Sequence, residues 1–213
     1  MREADHLSQV LDRRAPKRGD QRRDALLRAL DDQLAERTLD EITIADLTSV
    51  AGVSRSAFYF YFEDKAACAA ALGAEFYAEV VAAAETLMSG TGAPRERLER
   101  TLRDLFAVAY KHRNYFRAMI VARQRNVTVK GLWDSARKSF VKPVADLIDE
   151  ERRAGLAHAE PDSRALASVL LELNEGALER ACLDEPPELS QRIEALLAIW
   201  SRAIYLAPES DVR

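Results

Sequence analysis

The chain has 213 residues, enough for one or two domains with a sizeable core. Eight glycines and seven prolines are few for many tight strand connections or glycine-rich cofactor loops, while long Ala, Leu, Glu and Arg stretches indicate an all-α protein. The formal net charge of −4 counts against uniform attraction to nucleic acid; no apolar run of transmembrane length and no secretory segment is read, so a cytoplasmic protein without a membrane partner is expected.

Residues 1–20 read as a flexible leader, interrupted by Pro16 and Gly19. From Arg13 to Arg28 seven cations stand against Asp20 and Asp24. That local excess suits a basic arm touching a DNA backbone or minor groove through residues such as Arg18 and Arg22, although a solubilising tail has the same composition. The first domain helix is expected over Arg22–Glu36, with Leu26, Leu27, Leu30 and Leu34 facing inward. Thr43-x-x-Asp46 has the form of a capping box, and Ile44, Leu47 and Val50 fall on one face of the helix it starts. Gly52 supplies a turn position tolerant of positive φ, Val53 returns to the core, and Ser54 caps the next helix. Arg55 and Ser56 then occupy its first turn, the part of a recognition helix that meets base edges. An ordinary helix hairpin could share this turn. The run Phe58-Tyr59-Phe60-Tyr61-Phe62 favours DNA: Phe58 and Phe62 can pack inward, leaving the Tyr59 and Tyr61 hydroxyls to find phosphate oxygens, with Lys65 just beyond. Residues 21–66 are therefore expected to form a helix-turn-helix DNA-binding domain.

Residues 67–213 are expected to form a helical effector-binding and dimerisation domain. Asp64 is placed to cap a connecting helix reaching Met88, ended by Gly90, Gly92 and Pro94. Further helices are expected over Arg95–Lys111, Tyr115–Gln124, Thr128–Ala154, Asp162–Cys182 and Glu188–Leu206. Pro143 must kink the third of these or mark a wrong boundary. Phe106, Tyr110, Tyr115, Phe116, Met119, Trp133 and Phe140 could line a cavity or simply fill a core. Asn174, in an apolar helix, needs a partner if buried: a protein group or a ligand. Cys68 and Cys182 read as packing residues, and no nucleophile–base pair, metal cluster or phosphate loop is visible, so neither an enzyme nor a cofactor is expected.

Over Ile42–Leu72 the pattern Ile-Ala-Asp-Leu, Ala-Gly-Val-Ser, Phe-Tyr-Phe-Tyr-Phe and Asp-Lys resembles the tetracycline-repressor (TetR) family of one-component transcriptional regulators. The resemblance implies a tetracycline-repressor-like fold, with Tyr59 and Lys65 at phosphate-contact positions and Ser54–Ala57 toward the major groove. Tyr61 stands where many members carry histidine. The DNA-facing set is then Arg18, Arg22, Thr43, Ser54, Arg55, Ser56, Tyr59, Tyr61 and Lys65.

The body resembles one branch of the family through Leu132-Trp133, the stretch from Val144-Ala145 to Arg152, Leu173-Asn174-Glu175 and Ile199-Trp200. That branch has a long apolar tunnel in which an asparagine can bond amide or carbonyl ligands. The resemblance puts Asn174 in that role, with Trp133 and Trp200 nearby and with Leu98 and Leu171 replacing a tryptophan and an asparagine. The apolar faces of the last two helices suit a homodimer. The expected function is a repressor binding a palindromic double-stranded DNA operator and released by a small apolar or amphipathic effector. An activator or a ligand-independent regulator is the alternative.

Overall fold

The computed structural model describes residues 21–88, 91–183 and 189–205; the expected leader, including Arg18, lies outside them. The described residues form ten helices: α1 (Gln21–Gln33), α2 (Ile44–Ala51), α3 (Arg55–Tyr61), α4 (Lys65–Met88), α5 (Pro94–Lys111), α6 (Arg113–Arg125), α7 (Val127–Ser139), α8 (Val141–Arg153), α9 (Ser163–Leu183) and α10 (Leu189–Ile204). The fold is all-α. Pairing of β type among these residues is limited to an isolated bridge between Ala157 and Tyr205.

Two compact units are formed. One takes the chain up to Glu79 together with His112–Ala118; the other takes Val80–Lys111 and the chain from Met119 onward. The division therefore falls inside α4, later than the boundary at residue 66 that the sequence suggested. The reason is packing: Ala67, Cys68, Ala71 and Leu72 of α4 are buried in the same apolar core as Leu26, Leu27 and Leu30 of α1 and Phe58 and Phe62. Tyr115 adds to this core from α6, and its hydroxyl lies where any Cβ on Gly73 would stand, 2.3 Å away. Asp31 of α1 accepts the Tyr115 N–H at 3.0 Å, satisfying a donor in the first turn of α6. His112, buried, lies 3.1 Å from the Glu79 carboxylate and so has a partner that its isolation in the sequence did not suggest.

In the second unit Leu98, Leu102 and Phe106 of α5 pack with Val144, Leu147 and Ile148 of α8, Leu170 of α9 and Leu196, Leu197, Trp200 and Ile204 of α10. The single helix expected over Thr128–Ala154 is two. Phe140 ends α7 and begins α8, and Pro143 falls in the first turn of α8, where its missing N–H removes a bond a continuous helix would need. The last helix ends at Ile204; the expected start at Glu188 and end at Leu206 lie outside the described residues.

One helix departs from the sequence reading in another way. By length and composition alone, alanine-rich α4 is long and apolar enough to cross a membrane. It also carries Glu75, which pairs with Arg23 at 2.7 Å, and Glu79, bonded to His112.

Candidate nucleic-acid interface and effector site

The start of α2 is fixed by a reciprocal cap. Thr43 Oγ1 accepts the Asp46 N–H at 3.1 Å and Asp46 Oδ2 accepts the Thr43 N–H at 2.9 Å. The Thr43 N–H and then its hydroxyl hold the Asp46 carboxyl below the usual carboxylate range. At the other end Gly52 adopts φ 65°, a left-handed conformation that costs glycine little, and its N–H bonds back to α2 carbonyls. Ser54 then caps α3, accepting the Ala57 N–H at 3.1 Å. Val50 is a correction: it is 59 % exposed, while Leu47 on the same helix is fully buried. Its position at the solvent edge of a two-turn helix outweighs the apolar spacing.

Helix α3 is held from below by Phe58 and Phe62, both buried, with ring centroids 5.7 Å apart. What remains outside is Arg55, Ser56, Tyr59 and Phe60. Arg55 Nη2 donates to Tyr59 Oη at 3.4 Å, with its guanidinium 5.8 Å from the ring centroid, so the two form one polar ridge along the helix. Ser54 and Ser56 hydroxyls are 2.9 Å apart. Tyr61 is half-buried against the head core, its ring edge-on to Phe60 at 4.9 Å, and so is less available than Tyr59. The half-exposed ring of Phe60 was missed because an unbroken aromatic run gives no periodicity by which to assign faces. Arg22 is exposed at the start of α1.

Lys65 has an internal role that the sequence did not reveal. Its ammonium donates to the carbonyls of Ile42 at 2.6 Å and Asp40 at 3.2 Å, clamping the loop before α2 to the start of α4. Asp64, as expected, caps α4 through the Ala67 N–H at 2.7 Å. An ammonium has three donors, so two carbonyls leave one for a phosphate.

The expected effector residues are distributed unevenly. Leu98, Phe106 and Trp200 are buried in the body core, and Leu171 packs partly against it. Trp200 Nε1 donates to Asn174 Oδ1 at 2.9 Å, both residues buried. Tyr110 is half-exposed and lines a small depression with Phe106, Ala109, Ala181, Cys182 and Leu189. Met119 and Phe140 are half-buried. Phe116 is not among the body residues: it belongs to the first unit, buried with its ring 5.6 Å from that of Phe76. Trp133 is held by a carboxylate. Its indole donates to Glu175 at 2.5 Å, Arg123 lies 4.8 Å over its ring, and Arg123 and Arg137 also donate to Glu175, at 2.7 and 3.1 Å. Three donors on Glu175 make it a clasp joining α6, α7 and α9. Among the described residues no group of three His, Cys, Asp or Glu side chains could hold a metal ion.

Residues 26–72 match the model for the N-terminal domain of bacterial regulatory proteins of the tetR family, and residues 98–206 match that for the C-terminal domain of the transcriptional regulator EthR. The chain is 32 % identical over 191 residues to the HTH-type transcriptional regulator EthR of Mycobacterium tuberculosis, covering 88 % of each. The chain belongs to the TetR family of transcriptional regulators. Within it, the EthR of Mycolicibacterium smegmatis is 28 % identical over 190 residues, with 88 % of each covered. TetR-family folds also appear among solved structures: SmeT, the repressor of a Stenotrophomonas maltophilia multidrug efflux pump, superposes with a TM-score of 0.69 at 17 % identity over 86 % of this chain and 90 % of SmeT. The ketosteroid regulator KstR2 of Mycobacterium tuberculosis gives 0.67 at 18 % identity over 91 % and 100 %. At such identities the likeness is one of fold.

Proposed function

We propose that this TetR-family chain is a homodimeric, ligand-responsive repressor that binds a palindromic operator through α3 and is released by a small, largely apolar effector held in the second unit. The observation that carries the DNA reading is the construction of α3. A left-handed Gly52 and a Ser54 cap set its start, buried Phe58 and Phe62 fix its rotation, and Arg55, Ser56 and Tyr59 are left exposed on the other face. Arg55 is the base reader in this account, as a guanidinium matches the acceptor pair on guanine. Tyr59, Tyr61, Lys65, Arg18 and Arg22 supply backbone contacts, and Thr43 and Ser54 contribute chiefly by capping.

Support for the dimer comes from α9 and α10, which leave Val169, Leu173 and Ile199 exposed outside the body core. Two-fold pairing there presents two α3 helices to half-sites about one DNA turn, roughly 34 Å, or a related spacing apart. An effector acts by binding a dimer state mismatched to the operator more tightly than the bound state, since equal affinity for both shifts nothing. The chain performs no chemistry in this reading, and its place of action is the cytoplasm, with the DNA.

A reporter placed behind a promoter that the protein occupies tests the sign of regulation. Deleting the gene raises transcription for a repressor, and lowers it for the alternative, an activator. Release of purified protein from that promoter by a body-bound compound separates a ligand-responsive regulator from a ligand-independent one.

A further inference from the structure

The rotation of α3 is set by Phe58 and Phe62, both buried in the head core, and the Phe62 N–H bonds the Phe58 carbonyl at 2.9 Å, so helical spacing holds between them. Ser56 and Phe60 each stand two residues from Phe58. At about 100° per residue both lie about 200° round the helix from it, on the side opposite the core. They are four residues apart and form one crest along α3. Arg55 and Tyr59, joined at 3.4 Å, flank that crest.

Phe60 is 50 % exposed there. A single exposed apolar side chain is ordinary on a protein surface. Phe60 differs in its place, on the crest of a helix whose other outward side chains, Arg55, Ser56 and Tyr59, all carry hydrogen-bonding groups. Its ring is also braced, edge-on to Tyr61 at a centroid distance of 4.9 Å and an interplanar angle of 89°, and Tyr61 in turn packs against the head core. A braced ring loses little freedom on meeting a partner. One turn back on the same side stand Ser56 and Ala57, both too small to cover it.

The chemistry of the major groove narrows what such a ring can touch. Most of each base edge consists of donors and acceptors, and a phenyl ring set over one of these shuts it from water without offering a hydrogen bond in return. The C5-methyl of thymine is the apolar group in the groove. A ring packed on it buries apolar surface on both partners and strands no polar atom. Arg55 and Phe60 then read different features, the guanine acceptor pair and the thymine methyl.

We infer that Phe60 is a specificity-determining residue whose ring packs on the C5-methyl of a thymine, once in each half-site of the operator. This rests on the reading of α3 as the helix that reads DNA and adds a second base to it.

The test uses the full chain and the duplex it selects from a random pool. Each thymine in turn is replaced by deoxyuridine, first in one half-site and then at the symmetry-related position as well, so that base pairing is kept and the methyl alone is lost. One thymine per half-site is expected to be methyl-sensitive. Affinity there falls about fourfold when one methyl is removed and about tenfold or more when both are, the effect of one buried methyl-sized group in each half. In Phe60→Ala the thymine duplex is expected to bind more weakly by at least that much, and the thymine and uracil duplexes to bind equally. Phe60→Leu keeps an apolar side chain and is expected to retain only part of the methyl preference; it gives the contrast with the parent if the alanine variant does not fold. A selected duplex with no methyl-sensitive thymine overturns the inference, as does a methyl preference that Phe60→Ala and Phe60→Leu leave unchanged. A uniform loss of affinity in Phe60→Ala, with no methyl preference to lose, sets the ring against the sugar-phosphate backbone and also overturns it. Selection of no duplex by the folded chain strikes the DNA reading itself, and the inference with it, so the two failures are told apart.

Discussion

Trp200 donates its indole N–H to the Asn174 side-chain carbonyl at 2.9 Å in the interior of the second unit, so α9 and α10 are keyed together by one buried hydrogen bond. The bond gives Asn174 a structural function whether or not a ligand ever reaches it. This bond takes one of the two lone pairs on Oδ1 and leaves both donors of the amide nitrogen unaffected. Replacing Asn174 with leucine leaves that N–H unpaired and is predicted to destabilise the protein by about 1–3 kcal/mol in denaturant unfolding. Adding Trp200→Phe to the variant is predicted to recover part of the loss. A leucine variant that unfolds like the parent would contradict this assignment.

Arg97 and Glu151 form an ion pair at 2.6 Å with side chains only 6 % and 9 % exposed. Glu151→Ala strands the guanidinium and is predicted to cost about 3–5 kcal/mol, whereas Arg97→Met with Glu151→Leu, which removes both charges and keeps the volume, is predicted to cost far less. Equal losses from the single and double variants would mean that packing, and not the stranded charge, sets the cost.

Arg55→Ala is predicted to weaken specific operator binding roughly tenfold or more and to relax preference at one base pair. Competition with singly substituted operators distinguishes this from a phosphate contact, whose loss lowers affinity for all duplexes alike. Removing Arg55 also frees the Tyr59 hydroxyl from its 3.4 Å partner, so Tyr59→Phe is best measured in both backgrounds.

Lys65→Ala combines two losses. Releasing the Ile42 and Asp40 carbonyls is predicted to lower stability by about 1 kcal/mol. If the third ammonium donor meets a phosphate, the slope of log affinity against log salt also falls by about one, for specific and non-specific DNA together. A stability loss with an unchanged slope would assign Lys65 to loop clamping alone.

Features that depend on neighbours in sequence were legible before the structure: the Thr43–Asp46 box, the left-handed Gly52, the Ser54 and Asp64 caps, and the inward pair Phe58 and Phe62. Each follows from spacing within one helical turn. What the sequence did not show depends on partners far along the chain. Lys65 reaches back to Ile42, Trp133 forward to Glu175, and Phe116 is buried beside Phe76 of α4. The break at Phe140 was signalled by Pro143 but not located by it, since proline is tolerated in a first turn as well as at a kink.

Selection of bound duplexes from a random pool by the full chain, repeated with Arg55→Ala, tests the central claim most directly. The account predicts enrichment of a two-fold symmetric motif whose half-sites lie about one helical turn, or a related spacing, apart. It also predicts that the arginine variant loses discrimination at symmetry-related positions in both halves. Enrichment of no motif by the folded protein, or of a motif unchanged by the substitution, would contradict the assignment of α3 as the element that reads DNA.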